Sequence, residues 1–414
     1  MARPIPYDTI IDGGIGKHTG EKVSGVEIRE IPGGVAALCA RLRSAGWEAY
    51  PVGGCVRDLL LGRTPGDWDV TTSAMPEEVI ALFDRTVPTG IRHGTVTVLT
   101  EDGGVEVTTF RAESGYADGR HPDAVTFGGD LTGDLTRRDF TINAMALGPD
   151  GAVIDPFGGQ KDLQARLIRC VGEPGRRFRE DALRMLRAVR FSAQLGFAVE
   201  NATAEALRDN AELTACLSAE RIRTELEKIL LSQWPERGEG LFAWGLLAAF
   251  VGADAQPDLT TLHRVPARPL ERWAALCALL LDEGSIRSAE EFLKDLRLDG
   301  RTVRACAAGA ELVKTMPRGA AGWRHALAEH GADACTAAAA IGAAMMGGEY
   351  LRELAETLAE GSCLTVRELA LSGAELAAMG YRGADIGAAQ RRLLDHVLDH
   401  PEDNRPERLR ELLN

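Results

Sequence analysis

The period of the hydrophobic pattern changes once along this chain, and that change constrains the fold more than any other feature. Up to about residue 160, apolar residues alternate in short runs such as TVTVLT and VEVTTF, broken by Gly, Pro and Asp. Beyond it they recur every three or four residues almost to the end, with few β-branched clusters. A period of two specifies strands and a period near 3.6 specifies helices. The expected fold is therefore α+β, a small mixed sheet domain followed by an all-helical body and tail. With 414 residues the chain is also too long for one ordinary core.

Within the first part, VAALCARLRSAG (35–46) has helical spacing and ends at a glycine. WEAYPV reads as a strand, Gly53-Gly54 opens a short helix, and WDVTT alternates as a strand. Pro76 stands at the first turn of the next helix. The runs TVTVLT and VEVTTF flank Glu101-Asp102-Gly103-Gly104, a hairpin signal, so the sheet is expected to be mostly antiparallel. The division expected is a polar N-terminal extension over 1–30, a head over 31–160, a helical neck over 161–235 and a helical body and tail over 236–414. Breaks in the helical part are expected near Trp234–Gly240, Gly252–Arg268 and Gly361–Ser362.

Several classes are excluded early. No basic stretch followed by an apolar run opens the chain, so no secretory signal is expected. The apolar runs WAALCALLL and TAAAAIGAAMM are far too short to span a bilayer. The eight cysteines form neither a CxxC pair nor a zinc spacing, which points to reduced thiols in a cytoplasmic protein. GGIGKHT resembles a P-loop only superficially, because His18 follows Lys17 and Ile11 stands where the first glycine belongs. The net charge of −14 argues against a nucleic-acid partner, but binding follows the local field. From Arg166 to Arg190 eight arginines face three acids, which reads either as a site for a phosphate-rich ligand or as a solvated helix face.

The sharpest motif is PVGGCVRDLLLGRTPGDWDVTT (51–72). Asp67 and Asp69 lie two apart on the predicted strand and so point to one face. Carboxylates held together need cations, and hard oxygen donors suit a two-ion Mg2+ site that activates a hydroxyl and stabilises a leaving pyrophosphate. Gly53 and Gly54 lack Cβ atoms, so their N–H groups can approach a triphosphate at a helix N-terminus, with Arg57 one turn on to clamp phosphate oxygens.

GGCVRDLLLG followed by DWDVTT resembles the signature of class II nucleotidyltransferases, the DNA polymerase beta-like branch that contains CCA-adding enzymes and bacterial poly(A) polymerases. RRDFTINAMAL (137–147), DPFGGQKDL (155–163), EDALRMLRAVRFSAQLGF (180–197) and SAERIRTELEKILL (218–231) resemble that family's successive motifs in order. GADIGAAQRRLLDHVL (383–398) resembles its tail, with Arg-Gly-Ala where the family has Pro-Gly-Pro. The resemblance implies template-independent addition of C, C and A to tRNA from CTP and ATP. It also implies that Glu106, on a neighbouring strand, is the third active-site acid; a solvent-facing strand glutamate is the other reading. It assigns base reading to Asp181 and Arg184, three apart and expected to be neighbours on one helix surface. A carboxylate accepts from the exocyclic amine that C and A share, while guanidinium donors serve the ring acceptors. Arg187 continues this stripe, whereas Arg190 has drifted round the helix and joins the site by resemblance. Leu183, Leu186 and Phe191 are expected on the buried side. Arg138 matches the family's nucleotide-contacting arginine, with Asp139 expected to orient it. Glu225 and Lys228 match a motif of more structural character.

The polar loop FRAESGYADGRHPDAV, with Asp118-Gly119-Arg120, resembles the flexible loop with which CCA-adding enzymes switch from C to A. It favours CCA addition over the alternative, bacterial poly(A) polymerase. No His-Asp dipeptide occurs, so no fused HD-type phosphohydrolase is expected. A non-catalytic RNA-binding protein on the same scaffold is the alternative from another class, and the joint presence of Asp67, Asp69, Arg57, Asp181 and Arg184 argues against it. The tRNA is expected along the helical body, held through phosphates and duplex shape.

Overall fold

A computed structural model describes residues 31–114, 124–252 and 254–413, so the polar extension, Asp118 and Arg120 lie outside the described residues. The described chain forms two compact units. The first holds the residues up to Phe110 together with Phe127–Leu131 and Met145–Pro156; the second holds the remainder.

The first unit is built on strands β1 (Ala49–Pro51), β2 (Asp69–Thr72), β3 (Thr86–Gly90), β4 (Thr95–Thr100) and β5 (Gly103–Thr109), in the order β1-β2-β5-β4-β3. Every neighbouring pair is antiparallel except β2 with β5, which run parallel. The expected hairpin is β4–β5, but its ladder runs on to Thr100 opposite Gly103, leaving only Glu101 and Asp102 at the tip. Alternation gives the sheet two different faces. Val70, Val96, Val98, Val105 and Val107 are buried against Val35, Leu38, Cys39 and Leu42 of helix α1 (Gly33–Ser44) and Val79 of α3 (Pro76–Leu82). The residues between those valines, including Asp69, Thr97, Glu106 and Thr108, therefore line the other face. Between β1 and β2 runs α2 (Gly54–Leu60).

The second unit is mostly helical, as the change of period predicts, but the short parallel pair of Leu167–Ile168 with Ala198–Val199 departs from an all-helical body. The first helices are α4 (Leu131–Thr136), α5 (Gly159–Ala165), α6 (Pro174–Glu180), α7 (Leu183–Leu195), α8 (Asn201–Asp209) and α9 (Ala219–Leu230), of which α5, α7 and α9 carry matched motifs. They are followed by α10 (Glu239–Ala243), α11 (Pro269–Glu283), α12 (Ala289–Asp295), α13 (Gly300–Leu312), α14 (Gly319–Met346), α15 (Tyr350–Ala359), α16 (Gly373–Ala378), α17 (Ala384–Asp399) and α18 (Pro406–Glu411). The core is anchored by Trp273 of α11 and Trp323 of α14, both fully buried. The expected break near Trp234–Gly240 is a 3-10 turn over Pro235–Gly238, and that at Gly361 is a left-handed glycine just after α15. Among the described residues no helix is long and apolar enough to cross a membrane.

The eight cysteines are all unbridged; seven are buried and Cys216 is exposed. Burial pushes the thiols of Cys39, Cys170, Cys306 and Cys335 up to about 12 and that of Cys55 up to about 11.

Candidate functional site

The glycine turn and the carboxylates are joined by backbone hydrogen bonds. Val52 N–H donates to the Asp69 carbonyl at 2.9 Å, so the chain leaves β1 directly beside the acidic strand. Gly53 then takes φ 83° and ψ −128°, a conformation open to glycine and strained for any residue with a Cβ. Its N–H donates to the Met145 carbonyl at 3.1 Å, which corrects the expectation that both glycine amides face a ligand. Gly54 is the first residue of α2, where amides have no acceptor within the helix. Arg57 folds back over this turn: a Cβ on Gly54 would meet its guanidinium at 3.6 Å. That guanidinium pairs with Asp58 at 2.9 Å.

Strand β2 begins at Asp69, not at Trp68, so Asp67 sits in the bend before the strand. This corrects the placement of both aspartates on one strand face. The ladder still reaches back to Trp68, whose carbonyl accepts from Glu106 N–H at 3.3 Å. Trp68 packs against the core, which holds the backbone between the two aspartates. Asp69 and Glu106 are register partners in the parallel pair β2–β5 and share the open face. Asp67 and Glu106 are exposed and Asp69 half-buried. Among the described residues no three His, Cys, Asp or Glu side chains converge to hold a metal ion. The donors at hand are carboxylate oxygens only, the hard type that Mg2+ takes one or two of while substrate phosphates and water complete its shell. The residues therefore fit that ion.

In the second unit, Asp181 and Arg184 do not share a helix surface, although their spacing predicts that they would. Asp181 closes α6 in an extended conformation, φ −148°, and its Oδ1 accepts from Leu183 N–H at 3.1 Å as α7 begins. Arg221 of α9 donates to both its carboxylate oxygens, at 3.1 and 3.2 Å. Arg184 points inward, donating to Glu180 Oε2 at 2.7 Å and to the carbonyls of Arg177 and Arg137 at 3.1 and 2.9 Å. Glu180 also accepts from Arg177 at 2.7 Å and from exposed Arg176 at 3.2 Å. The arginine-rich stretch is thus neither a solvated face nor a single patch.

Asp139 does not orient Arg138; it accepts from Arg187 Nε at 2.7 Å, 48 residues further on. Burial alone would raise the Asp139 carboxyl, but the Arg187 charge and hydrogen bond, with Arg184 nearby, override it and hold the pKa at about 2. Arg138 reaches Asp134 at 3.4 Å, and its buried Nε donates to nothing among the described residues. That orphaned donor is what an incoming acceptor would satisfy. Arg190 reaches Glu225 at 2.8 Å. Arg221, in the ERIRTELEK segment, is the partner that sequence reasoning missed, and the charge alternation of that helix was the available signal; Glu225 of the same segment, matched to a motif of structural character, pairs with Arg190. Of the expected buried side of α7, Leu186 and Phe191 are buried and Leu183 is half-buried.

Comparison with known proteins gives the family and the fold. Residues 49–169 match the family described as "Poly A polymerase head domain", and residues 196–254 the one described as "Probable RNA and SrmB- binding site of polymerase A". The chain is 40% identical over 385 residues to the CCA-adding enzyme of Geobacillus sp. (strain WCH70), covering 90% of this chain and 94% of that one. It is 51% identical over 242 residues to the CCA-adding enzyme of Limosilactobacillus reuteri, covering 58% of this chain and 60% of that one. The crystal structure of Bacillus stearothermophilus CCA-adding enzyme in complex with CTP superposes with a TM-score of 0.77 at 35% identity, covering 89% of this chain and 92% of that one.

Proposed function

This chain belongs to the CCA-adding enzyme family, and on that premise we propose that it adds C, C and A to the 3′ end of tRNA from CTP and ATP, releasing pyrophosphate without a template. The observation that carries this reading is the register pairing of Asp69 with Glu106 beside the Gly53–Gly54 turn. Asp67 and Asp69 would hold Mg2+, with Glu106 as the third acid on the same sheet face. When bound, two such ions lower the pKa of the attacking hydroxyl and neutralise charge on the departing pyrophosphate.

The chain's own residues do the rest. In the first unit the turn at Gly53–Gly54 lets a triphosphate approach the backbone and Arg57 binds its oxygens; in the second unit Arg138 is assigned a nucleotide contact. Asp181 accepts from the amine common to C and A, and Arg184 donates to the adjacent ring acceptor. For that, Arg221 shares the Asp181 carboxylate with the base and Arg184 keeps only part of its inward bonding. Arg187 and Arg190, each already held by a buried carboxylate, keep the positive charge around the nucleotide fixed. We assign nucleotide selection to the neck over 161–235, tRNA binding to 236–414, and the switch from C to A to the loop containing Asp118 and Arg120. Eight unbridged thiols favour a cytoplasmic setting.

The test is incorporation on tRNA that ends before CCA, with Mg2+ and CTP, ATP or both. Three nucleotides added with both substrates is the expected result. Long A tails would instead make the protein a poly(A) polymerase, and retained RNA binding without incorporation would leave only a binding scaffold.

A further inference from the structure

Two segments far apart in sequence meet at one aromatic ring, and a third reaches it through Arg190. Phe191, near the middle of α7, is 6% exposed. The guanidinium carbon of Arg187 lies 5.3 Å from its centroid and that of Arg190 lies 4.3 Å from it. Phe140, the residue after Asp139, packs edge-on against the same ring at 5.7 Å and 81°. Each arginine carries a carboxylate from another segment, Asp139 for Arg187 and Glu225 for Arg190.

Two guanidiniums around one ring repel each other, and nothing in the covalent chain fixes their separation, because both side chains have several rotatable bonds. The two carboxylates balance the charge but pull from different elements. The ring supplies what they lack: a common, rigid surface whose negative face attracts both cations, in surroundings from which Phe140 helps exclude water.

We propose that Phe191 is a positioning residue for nucleotide binding, a shared cation–π platform that sets Arg187 and Arg190 relative to one another. This rests on the CCA-adding reading above. Phe191 need touch neither substrate nor metal; it acts through the arginines. Its removal therefore weakens the holding of CTP and ATP alike and leaves tRNA binding alone.

The experiment uses the full chain and three variants. Phe191→Leu keeps apolar bulk and removes the ring face, Phe191→Met does the same with a more adaptable side chain, and Phe191→Tyr keeps the face. Steady-state addition is measured with CTP on tRNA ending before CCA and with ATP on tRNA ending in CC, alongside thermal melting. In Phe191→Leu and Phe191→Met the KM for both nucleotides is expected to rise about tenfold, with kcat and the KM for tRNA within about twofold of wild type. In Phe191→Tyr the nucleotide KM returns to within about threefold of wild type, whatever the melting temperature. Measuring both aliphatic variants keeps the result on one that folds. Unchanged nucleotide KM in them, or equal losses in Phe191→Tyr, would reduce Phe191 to core packing and overturn the inference. Wild-type protein that adds no nucleotide overturns the underlying reading as well, so the two failures are distinct.

Discussion

The acids of the two units are treated in opposite ways. On the head, Asp67 and Glu106 stand exposed and Asp69 is half-buried, all beside an open sheet face. In the second unit Asp134, Asp139, Glu180 and Glu225 are each less than a tenth exposed, and each is held by at least one arginine. On the proposed reading, charge that captures an exchangeable cation is left near water, because burying it beforehand would cost several kcal/mol per ion. On the same reading, charge that presents planar donors to a base is assembled in advance, because a guanidinium searching its rotamers cannot discriminate bases. One unit keeps its electrostatics available and the other keeps them rigid.

The contrast breaks most easily at the head. Asp67→Ala should lower nucleotide incorporation about a thousandfold or more. Its global stability should stay within about 0.5 kcal/mol of wild type, since the side chain is exposed. Near-normal turnover in that variant would remove Asp67 from the chemistry.

In the second unit the reverse holds, and Asp139→Asn should cost roughly 2–3 kcal/mol in denaturant unfolding by stranding Arg187, which is one-third exposed and so partly rehydrated. The pH dependence has a defined sign. Because the folded Asp139 carboxyl is held at about 2, below its ordinary value, its contribution is fully present above about pH 4 and is lost as pH falls through 2. Wild type should therefore lose roughly 2 kcal/mol across that window that Asp139→Asn does not lose. Parallel curves for the two proteins would mean that the pair is not held as described.

Gly53→Ala is expected to lie between these extremes. It forces a Cβ into φ 83°, ψ −128°, and strain of about 1–2 kcal/mol should appear both in stability and as a fall in kcat/KM. The smallest effect belongs to Arg176→Ala. Its partner Glu180 is the same carboxylate that holds buried Arg177 and Arg184, but Arg176 is 70% exposed, so the loss should not exceed about 0.5 kcal/mol. A large loss there would show that exposure is the wrong axis for the comparison.

Much of the head was legible because its signals are local. The glycine turn, the hairpin of β4 and β5 and the buried valine stripes all follow from residues within a few positions of one another. The parallel pairing of β2 with β5 was not, since 30 or more residues separate the partners, as in Asp69 opposite Glu106. In the second unit, spacing misled at Asp181. An Asp before ALRMLRAV is also an N-cap signature, and that local preference ended α6 where a continuous helix was expected. Asp139 with Arg187, Asp181 with Arg221 and Arg190 with Glu225 all join different elements, so no periodicity within one element announces them.

The distribution of cysteines has a practical consequence. Seven thiols are shielded by packing, and several are held so far toward the protonated form that they present almost no thiolate at neutral pH. Cys216, between α8 and α9, is the exposed one. A maleimide dye added to the native, unmutated protein should therefore attach at a single address, within the unit that carries Arg187 and Arg190.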